Sequence, residues 1–150
     1  MNPAPAVTRG KHFAHVSPGS PDDLERYVFD MPGLPPWKGK LFYSRHAGGG
    51  GAEVSLNRLP GGAGVPFLHR HQRNDEWYLV VSGRGRFLVD GEIVPLAPGD
   101  AVRVEPAGAR SLHSTGPEPL VYWCVQAPAD GDAGREIADG ALAEGAPPWA

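Results

Sequence analysis

Glycine and proline interrupt this chain so often that few uninterrupted stretches are long enough for an extended helix. The sequence contains 21 glycines and 17 prolines in 150 residues. Between these breaks lie short segments rich in β-branched and aromatic side chains, and several of them alternate apolar with polar residues. These segments are predicted as strands: 40–47, 52–59, 76–83, 85–91, 101–106 and 120–127.

The connections between the predicted strands are too short to hold crossover helices. Turn signals such as Ser-Gly-Arg-Gly at 82–85 and Ala-Pro-Gly-Asp at 97–100 join neighbouring segments. Strands joined in this way favour an antiparallel sandwich or barrel over a parallel sheet. The chain is therefore predicted to be all-β, with one barrel unit over residues 40–127.

The two ends of the chain differ from this central unit. Residues 1–39 are predicted to form an N-terminal extension that packs on the barrel, with a short helix at 20–29 that begins with Ser-Pro and acidic residues. Residues 128–150 are rich in alanine and glycine and poor in large apolar groups, so they are predicted to be a C-terminal tail or a marginal helix.

Charge and cysteine content exclude several classes of protein. The formal net charge is −3, from 14 basic and 17 acidic residues in mixed order, so no nucleic-acid partner is expected. Cys124 is the single cysteine, which excludes an internal disulfide, and its apolar surroundings predict a buried side chain and not a nucleophile. No apolar stretch approaches the roughly 20 residues of a membrane span, so a soluble cytoplasmic protein is expected.

Two histidines and a glutamate form the candidate metal site. His69 and His71 are two residues apart, so on a strand their side chains share one face. The polar break at 72–75 allows the chain to turn, and Glu76 then opens the next strand within reach of both imidazoles. Such a set holds one divalent transition metal, either Fe, Mn, Ni or Zn, and leaves coordination positions open. The alternative is that both histidines are simply solvated.

The spacing of these residues resembles the first conserved motif of the cupin superfamily, and a second motif follows at the expected separation. The resemblance covers roughly residues 50–127 and is closest to small single-domain cupins of bacterial type with a cupin_2-like conserved barrel. It implies a double-stranded β-helix, or jelly-roll barrel, that is usually a homodimer and holds a divalent metal in its interior. The matching residues are Gly64, His69, His71, Glu76 and Gly83, then Pro106 and Gly108.

One position departs from the family pattern. Where the resemblance implies a fourth metal-binding histidine this chain has Ser111, and Thr115 replaces an asparagine that is often found there. His113 lies two residues beyond Ser111, which is roughly 6.6 Å along a strand. We therefore expect a site with three protein ligands. His113 is either a pocket residue that does not touch the metal or, if a bulge shifts the strand, a fourth ligand.

Strand alternation divides the segment 76–83 between the interior and the outside. If Glu76 faces inward, Tyr78 and Val80 do so too, and the residues that alternate with them face outward. The outward residues are Trp77, Leu79 and Val81. An apolar row of this kind is expected to be covered, either by the N-terminal extension or by a second subunit, and a homodimer would match the family habit.

The interior is predicted to hold a small-molecule ligand in a mainly apolar pocket. Its predicted lining residues are Phe67, Tyr78, Val102, Val104 and Ser111. The remaining histidines, His12, His15 and His46, lie outside the motifs and are expected at the surface or an interface.

Three classes of function fit such a site, and the residues alone leave open whether the protein is an enzyme. The first is a metal-dependent enzyme acting on a small organic molecule, either a dioxygenase or an isomerase. An isomerase needs an internal base, for which His113, Tyr78 and, where it does not ligate the metal, Glu76 are the candidates. The second is a non-enzymatic module that senses or stores a small molecule. The third is a structural dimer stiffened by its metal.

Overall fold

The computed structural model describes residues 3–30, 32–130 and 143–149, and most of its regular structure is antiparallel sheet. The elements in chain order are β1 (Ala6–Arg9), β2 (Ala14–Ser17), a 3-10 helix (Pro21–Arg26), β3 (Val28–Phe29), β4 (Trp37–Lys38), β5 (Lys40–Phe42), α1 (Tyr43–Ala47), β6 (Glu53–Leu59), β7 (Asn74–Ser82), β8 (Gly85–Val89), β9 (Glu92–Leu96), β10 (Ala101–Val104), β11 (Arg110–Ser114) and β12 (Leu120–Pro128).

Two sheets form the barrel. The larger has five strands in the order β10-β7-β12-β6-β5, and the smaller has three in the order β11-β8-β9, with antiparallel pairing in both. Two shorter sheets, β1-β2 and β3-β4, belong to the N-terminal extension. The all-β prediction is confirmed, and β7 from the first motif region pairs with β10 from the second within the larger sheet.

Side chains from both sheets fill the space between them. Phe87 of β8 and Leu120 of β12 are completely buried, and the ring of Tyr78 on β7 meets that of Phe87 edge-on with 4.6 Å between centroids. Each fully buried side chain of this size contributes about 1.5–3 kcal/mol relative to an exposed one. Gly83 closes the β7-β8 turn at a φ of 82°, where a Cβ atom would lie only 2.2 Å from the Pro119 carbonyl oxygen.

Strand β7 has the predicted alternation between interior and exterior. Its fractional exposures are 3% for Glu76, 6% for Tyr78 and 6% for Val80, against 42% for Trp77, 38% for Leu79 and 50% for Val81. The interior face of this strand therefore leads from the candidate site into the core, and its outer face carries an apolar row.

The N-terminal extension covers a different part of the outer surface. Leu24 and Tyr27, at 0% and 4% exposure, pack with Leu41, Leu56 and Val121 in a second apolar cluster. The helix begins at Pro21, as the Ser-Pro signal predicts, but it is a 3-10 helix and ends at Arg26. Because these contacts fall on β5, β6 and β12, they leave the apolar row of β7 uncovered.

The strand predicted at 40–47 is wrong in its second half. It ends at Phe42, and one helical turn follows over Tyr43–Ala47. The turn is held to β6, where the Ser44 hydroxyl accepts the backbone N–H of Val54 at 3.1 Å. This hydrogen bond stabilises the point where the chain reverses direction. Strand propensity does not include such a side-chain contact, so the sequence pattern did not predict the helical turn.

Several strands lie outside the predicted segments. The β1-β2 hairpin and the short strands β3 and β4 occur in the extension, where the sequence pattern predicts no sheet. Strand β11 has only Leu112 as a large apolar residue, and β9 contains Pro95, which is tolerated because β9 is an edge strand.

The C-terminal tail predicted at 128–150 lies largely outside the described residues, which omit 131–142 and 150. Trp149 is 86% exposed. Throughout the described ranges, no helix combines the length and apolar character needed to cross a membrane.

Candidate metal centre

A short series of backbone hydrogen bonds positions the two histidines at the candidate site. The segment before β7 runs beside β11, where Val65 donates to the Leu112 carbonyl at 2.8 Å and His69 and Arg110 exchange bonds of 3.2 and 3.0 Å. His71 then donates its backbone N–H to the Pro106 carbonyl at 3.0 Å. These bonds fix the backbone of both histidines opposite the start of β7.

The imidazoles converge on the carboxylate of Glu76. The Nε2 atoms of His69 and His71 lie 3.5 and 3.2 Å from Glu76 Oε2, and one ligand atom from each residue lies within 4.8 Å of the others. A metal with bonds of about 2.0–2.2 Å holds neighbouring ligand atoms roughly 3.0–3.5 Å apart. The spacing and the N, N, O chemistry of this set, which we call the triad, therefore fit one divalent transition metal.

Glu76 has partners beyond the two histidines. Its Oε2 accepts a very short hydrogen bond from the Tyr78 hydroxyl, and its Oε1 accepts bonds from Cys124 Sγ at 3.0 Å and Gln126 Nε2 at 3.1 Å. Burial acts to raise the pKa of Glu76, but hydrogen bonds from His69, Tyr78 and Cys124 outweigh it and lower that pKa well below its usual range. The buried group is therefore a carboxylate, the form a metal ligand requires.

Three neighbours of Glu76, namely His71, Tyr78 and Cys124, are in their neutral forms. Burial lowers the pKa of His71, with the nearby charges of Glu76 and Arg110 acting in opposite directions, so its imidazole is neutral at pH 7. Burial also raises the pKa values of Tyr78 and Cys124, and the charge of Glu76 raises both further. Cys124 is buried, as predicted, and its thiol donates to Glu76 in place of acting as a nucleophile.

Arg110 is the main residue of the site that sequence reasoning missed. Its side chain is completely buried, and its Nε donates to Glu76 Oε2 at 3.1 Å. Its Nη1 donates to the Gly108 carbonyl at 2.7 Å. A usable signal was present, because Leu112 is the large apolar residue of β11 and strand alternation places Arg110 on the same face as Leu112.

His113 shares its strand face with Ser111, which lines the cavity, but it lies two residues further along β11 and does not line the cavity itself. Arg110, Leu112 and Ser114 are buried, whereas Ser111 and His113 between them are half-buried. His113 is outside the converging ligand atoms and is not among the residues that line the cavity beside the triad. It packs instead against Gly64, where a Cβ atom would come within 3.1 Å of its Cδ2.

A cavity of about 560 Å³ opens beside the triad. Phe67, Tyr78 and Ser111 line it, as the pocket prediction proposes, and the Ser111 hydroxyl donates to the Val65 carbonyl at 2.8 Å. Val102 and Val104 do not line it and belong to the apolar core. The reason is the position of β10 at one edge of the large sheet, whereas the cavity lies on the β12 and β6 side of β7.

Part of the cavity wall comes from the N-terminal extension and β5, which sequence reasoning did not assign to the pocket. The lining residues from this region are Phe29, Leu34, Pro35, Trp37, Lys40 and Phe42. The aromatic residues of this region are evident in the sequence. They precede the two motifs in the chain, so only the fold shows that they line the same cavity as the motif residues.

Comparisons with known proteins agree with this architecture. The family model described as Cupin domain, Cupin_2, matches residues 55–126. A cupin protein from Bacteroides fragilis is 37% identical, with a TM-score of 0.66, over 70% of this chain and 89% of that one. A putative sugar phosphate isomerase from Acidithiobacillus ferrooxidans is 26% identical, with a TM-score of 0.55, over 61% of this chain and 59% of that one.

Among curated proteins, an oxalate-binding protein from Thermotoga maritima is 32% identical over 68 residues, which are 45% of this chain and 55% of that protein. The chain spans about half the length of the curated relatives it matches.

Proposed function

We propose a function on the premise that this chain is a cupin: it belongs to the cupin superfamily, as its family match and its likeness to the Bacteroides fragilis cupin protein show. In this proposal the protein binds one divalent transition metal through His69, His71 and Glu76 and holds a small organic molecule beside it. The observation that carries the proposal is the convergence of two imidazole Nε2 atoms and one buried carboxylate at the end of the cavity.

The chain supplies this site with three protein ligands. A divalent metal bound there would act as a Lewis acid on a ligand oxygen and, if redox-active, would support chemistry with dioxygen. Arg110, Cys124 and Gln126 hold the Glu76 carboxylate in place through hydrogen bonds. Such bonds to a ligating carboxylate commonly affect metal affinity by 10- to 100-fold.

Of the two reaction classes, the residues favour a dioxygenase over an isomerase. An isomerase needs a base within about 3 Å of the proton that it removes. Tyr78 already donates to Glu76, and its raised pKa keeps it protonated, while His113 is not part of the cavity lining. Glu53 also lines the cavity, but it is paired with Arg45 at 3.0 Å.

A second candidate is non-enzymatic binding of a small carboxylate. It is favoured by the similarity to the oxalate-binding protein from Thermotoga maritima. In this case the same metal and cavity would hold the ligand without turnover.

Metal analysis and a turnover assay test the proposal together. The purified protein should contain one divalent metal per chain, and its melting temperature should fall on treatment with a chelator, because a bound metal stabilises the folded state. His69→Ala should abolish tight metal binding. His113→Ala serves as the matched control and should retain it.

Oxygen consumption by the iron-loaded protein, measured against a panel of aromatic diols, keto acids and sugars, separates the two candidates. Consumption that is lost in His69→Ala supports the enzyme, and ligand binding without consumption supports the binding protein. A melting temperature unmoved by chelator, with substoichiometric metal at neutral pH, contradicts both.

A further inference from the structure

We propose that the cavity takes a small anionic molecule with a flat apolar body, such as an aromatic carboxylate, and that Lys40 binds its carboxylate. This inference rests on the proposed function, since it names the ligand class for the same cavity. It assigns Lys40 as a specificity-determining residue separate from the triad.

Two aromatic rings hold the Lys40 ammonium at the cavity. Lys40 is half-buried at the start of β5 and lines the cavity. Its Nζ lies 4.9 Å from the ring centroid of Phe42 and 5.8 Å from that of Phe29. The two rings pack edge-on against each other with 5.0 Å between centroids, and both make cation–π contacts with the ammonium.

The charge balance of the cavity leaves this ammonium without a carboxylate. Glu53 is paired with Arg45 at 3.0 Å, and Glu76 is paired with Arg110 at 3.1 Å. Among the residues that the structure describes, no acidic side chain lies within ion-pair distance of Lys40. A half-buried cation of this kind favours an anionic ligand, because the ligand would supply the charge that the protein does not.

The remaining surface of the cavity favours a planar apolar body. Its volume of about 560 Å³ lies within the range of small-molecule sites. The apolar lining residues outside the triad include Leu34, Trp37, Val65, Phe67 and Leu112. Aromatic side chains present flat faces and edges on which another ring packs well.

A matched pair of probes tests the role of Lys40. Isothermal titration calorimetry would measure binding of 3-phenylpropanoate and of its neutral amide, 3-phenylpropanamide, to the metal-loaded protein. The wild-type protein should prefer the carboxylate by about tenfold, the size of a charge-assisted hydrogen bond. Lys40→Met should abolish this preference, and Lys40→Arg should retain most of it.

Lys38→Met is the control, since it removes the same charge from an exposed position on the neighbouring strand β4 and should leave the preference unchanged. An undiminished preference in Lys40→Met would show that the carboxylate binds elsewhere and would overturn the inference. Failure of both probes to bind at millimolar concentration would overturn it too.

Metal content measured on the same samples separates this inference from the proposed function. If the protein binds no metal but the carboxylate preference still depends on Lys40, the metal assignment fails and the Lys40 site stands. If metal binds normally and Lys40→Met leaves the carboxylate preference unchanged, the metal assignment stands and the Lys40 site fails.

Discussion

Glu76 is the residue on which the candidate site depends, because both histidines, a tyrosine, a thiol, an amide and an arginine approach its two oxygens. A buried carboxylate is costly unless charged and polar partners compensate for its lost hydration. Arg110 provides the opposite charge at Oε2, the oxygen that both imidazoles approach. The guanidinium and a bound metal ion are both positively charged, so each would compensate for the buried negative charge of Glu76.

Replacement of Arg110 by methionine should destabilise the metal-free protein by about 3–5 kcal/mol, because Glu76 is left as a buried charge without its counter-ion. Added divalent metal should recover more stability in this variant than in the wild type. Urea denaturation with and without metal measures both effects. Arg26→Met is the control, since the side chains of Arg26 and Asp23 are 57% and 35% exposed and their pair should contribute no more than about 1 kcal/mol. An equal loss with and without metal would contradict the shared role.

The stability of the chelator-treated protein should fall on acidification. His71 has a lowered pKa when folded, so its contribution is complete above the unfolded value of 6.5 and is lost below it, where the unfolded chain takes up the proton first. Glu76, whose folded pKa is also lowered, adds a further loss below its unfolded value of 4.5. Urea melts between pH 7.5 and 5.5 should show the first effect.

In His71→Gln the loss between pH 7.5 and 5.5 should be smaller, because the glutamine does not titrate. Stability that increases over this range in the wild type would contradict the lowered pKa of His71.

At the scale of elements, strand β7 connects the site to the rest of the fold. Its inner face carries Glu76 and Tyr78, and its outer face carries the apolar row. The 3-10 helix acts on the same sheet from outside, where Leu24 packs against Leu41 of β5 and Leu56 of β6. Arg58 of β6 also pairs with Glu25 of the helix, but Glu25 is largely exposed and such surface pairs contribute little. Burial of Leu24 is therefore expected to be the main attachment of the helix.

Leu24→Ala should lower the free energy of unfolding by about 2–5 kcal/mol, as is usual for truncation of a fully buried leucine. Ile93→Ala is the control, because Ile93 is 62% exposed and should change stability by less than about 0.5 kcal/mol. Urea denaturation measures both variants. A loss at Leu24 no greater than that at Ile93 would show that the extension is not part of the cooperative fold.

At the scale of the whole molecule, the extension has two roles. It supplies aromatic and apolar side chains to the cavity, and it covers the outer face of the large sheet over β5, β6 and β12. The cover stops before β7, where Trp77, Leu79 and Val81 remain exposed. In the sheet register Leu79 lies opposite Ala101 on β10 and Trp123 on β12, so the row continues sideways as an apolar face. We propose that a second copy of the chain packs on this face.

Sedimentation velocity at micromolar concentration should therefore give a dimer for the wild type. Leu79→Glu should produce monomers or aggregates, because a charge would be buried at the centre of the interface. Ile93→Glu is the control, since Ile93 lies on β9 of the smaller sheet and its exposed side chain should tolerate the charge. A monomeric wild-type protein would contradict this assembly.

The sequence alone determined the features that depend on local signals, namely the alternation of side chains along a strand and the turn residues between strands. Turn residues and strand propensity predicted the central strands, and the two-residue period placed Glu76 and Tyr78 inside and Trp77 outside, because side-chain direction along a strand is set by the backbone. The two-residue period and the short turn likewise predicted that His69, His71 and Glu76 would meet.

Tertiary structure alone decided the partners that lie far apart in the chain. Arg110, Cys124 and Gln126 reach Glu76 from 34, 48 and 50 residues away, and nothing local indicates those contacts. Tertiary packing likewise placed His113 against Gly64 and outside the cavity that Ser111 lines. Register between distant strands sets such contacts, and a shift of one residue exchanges every side chain between the two faces.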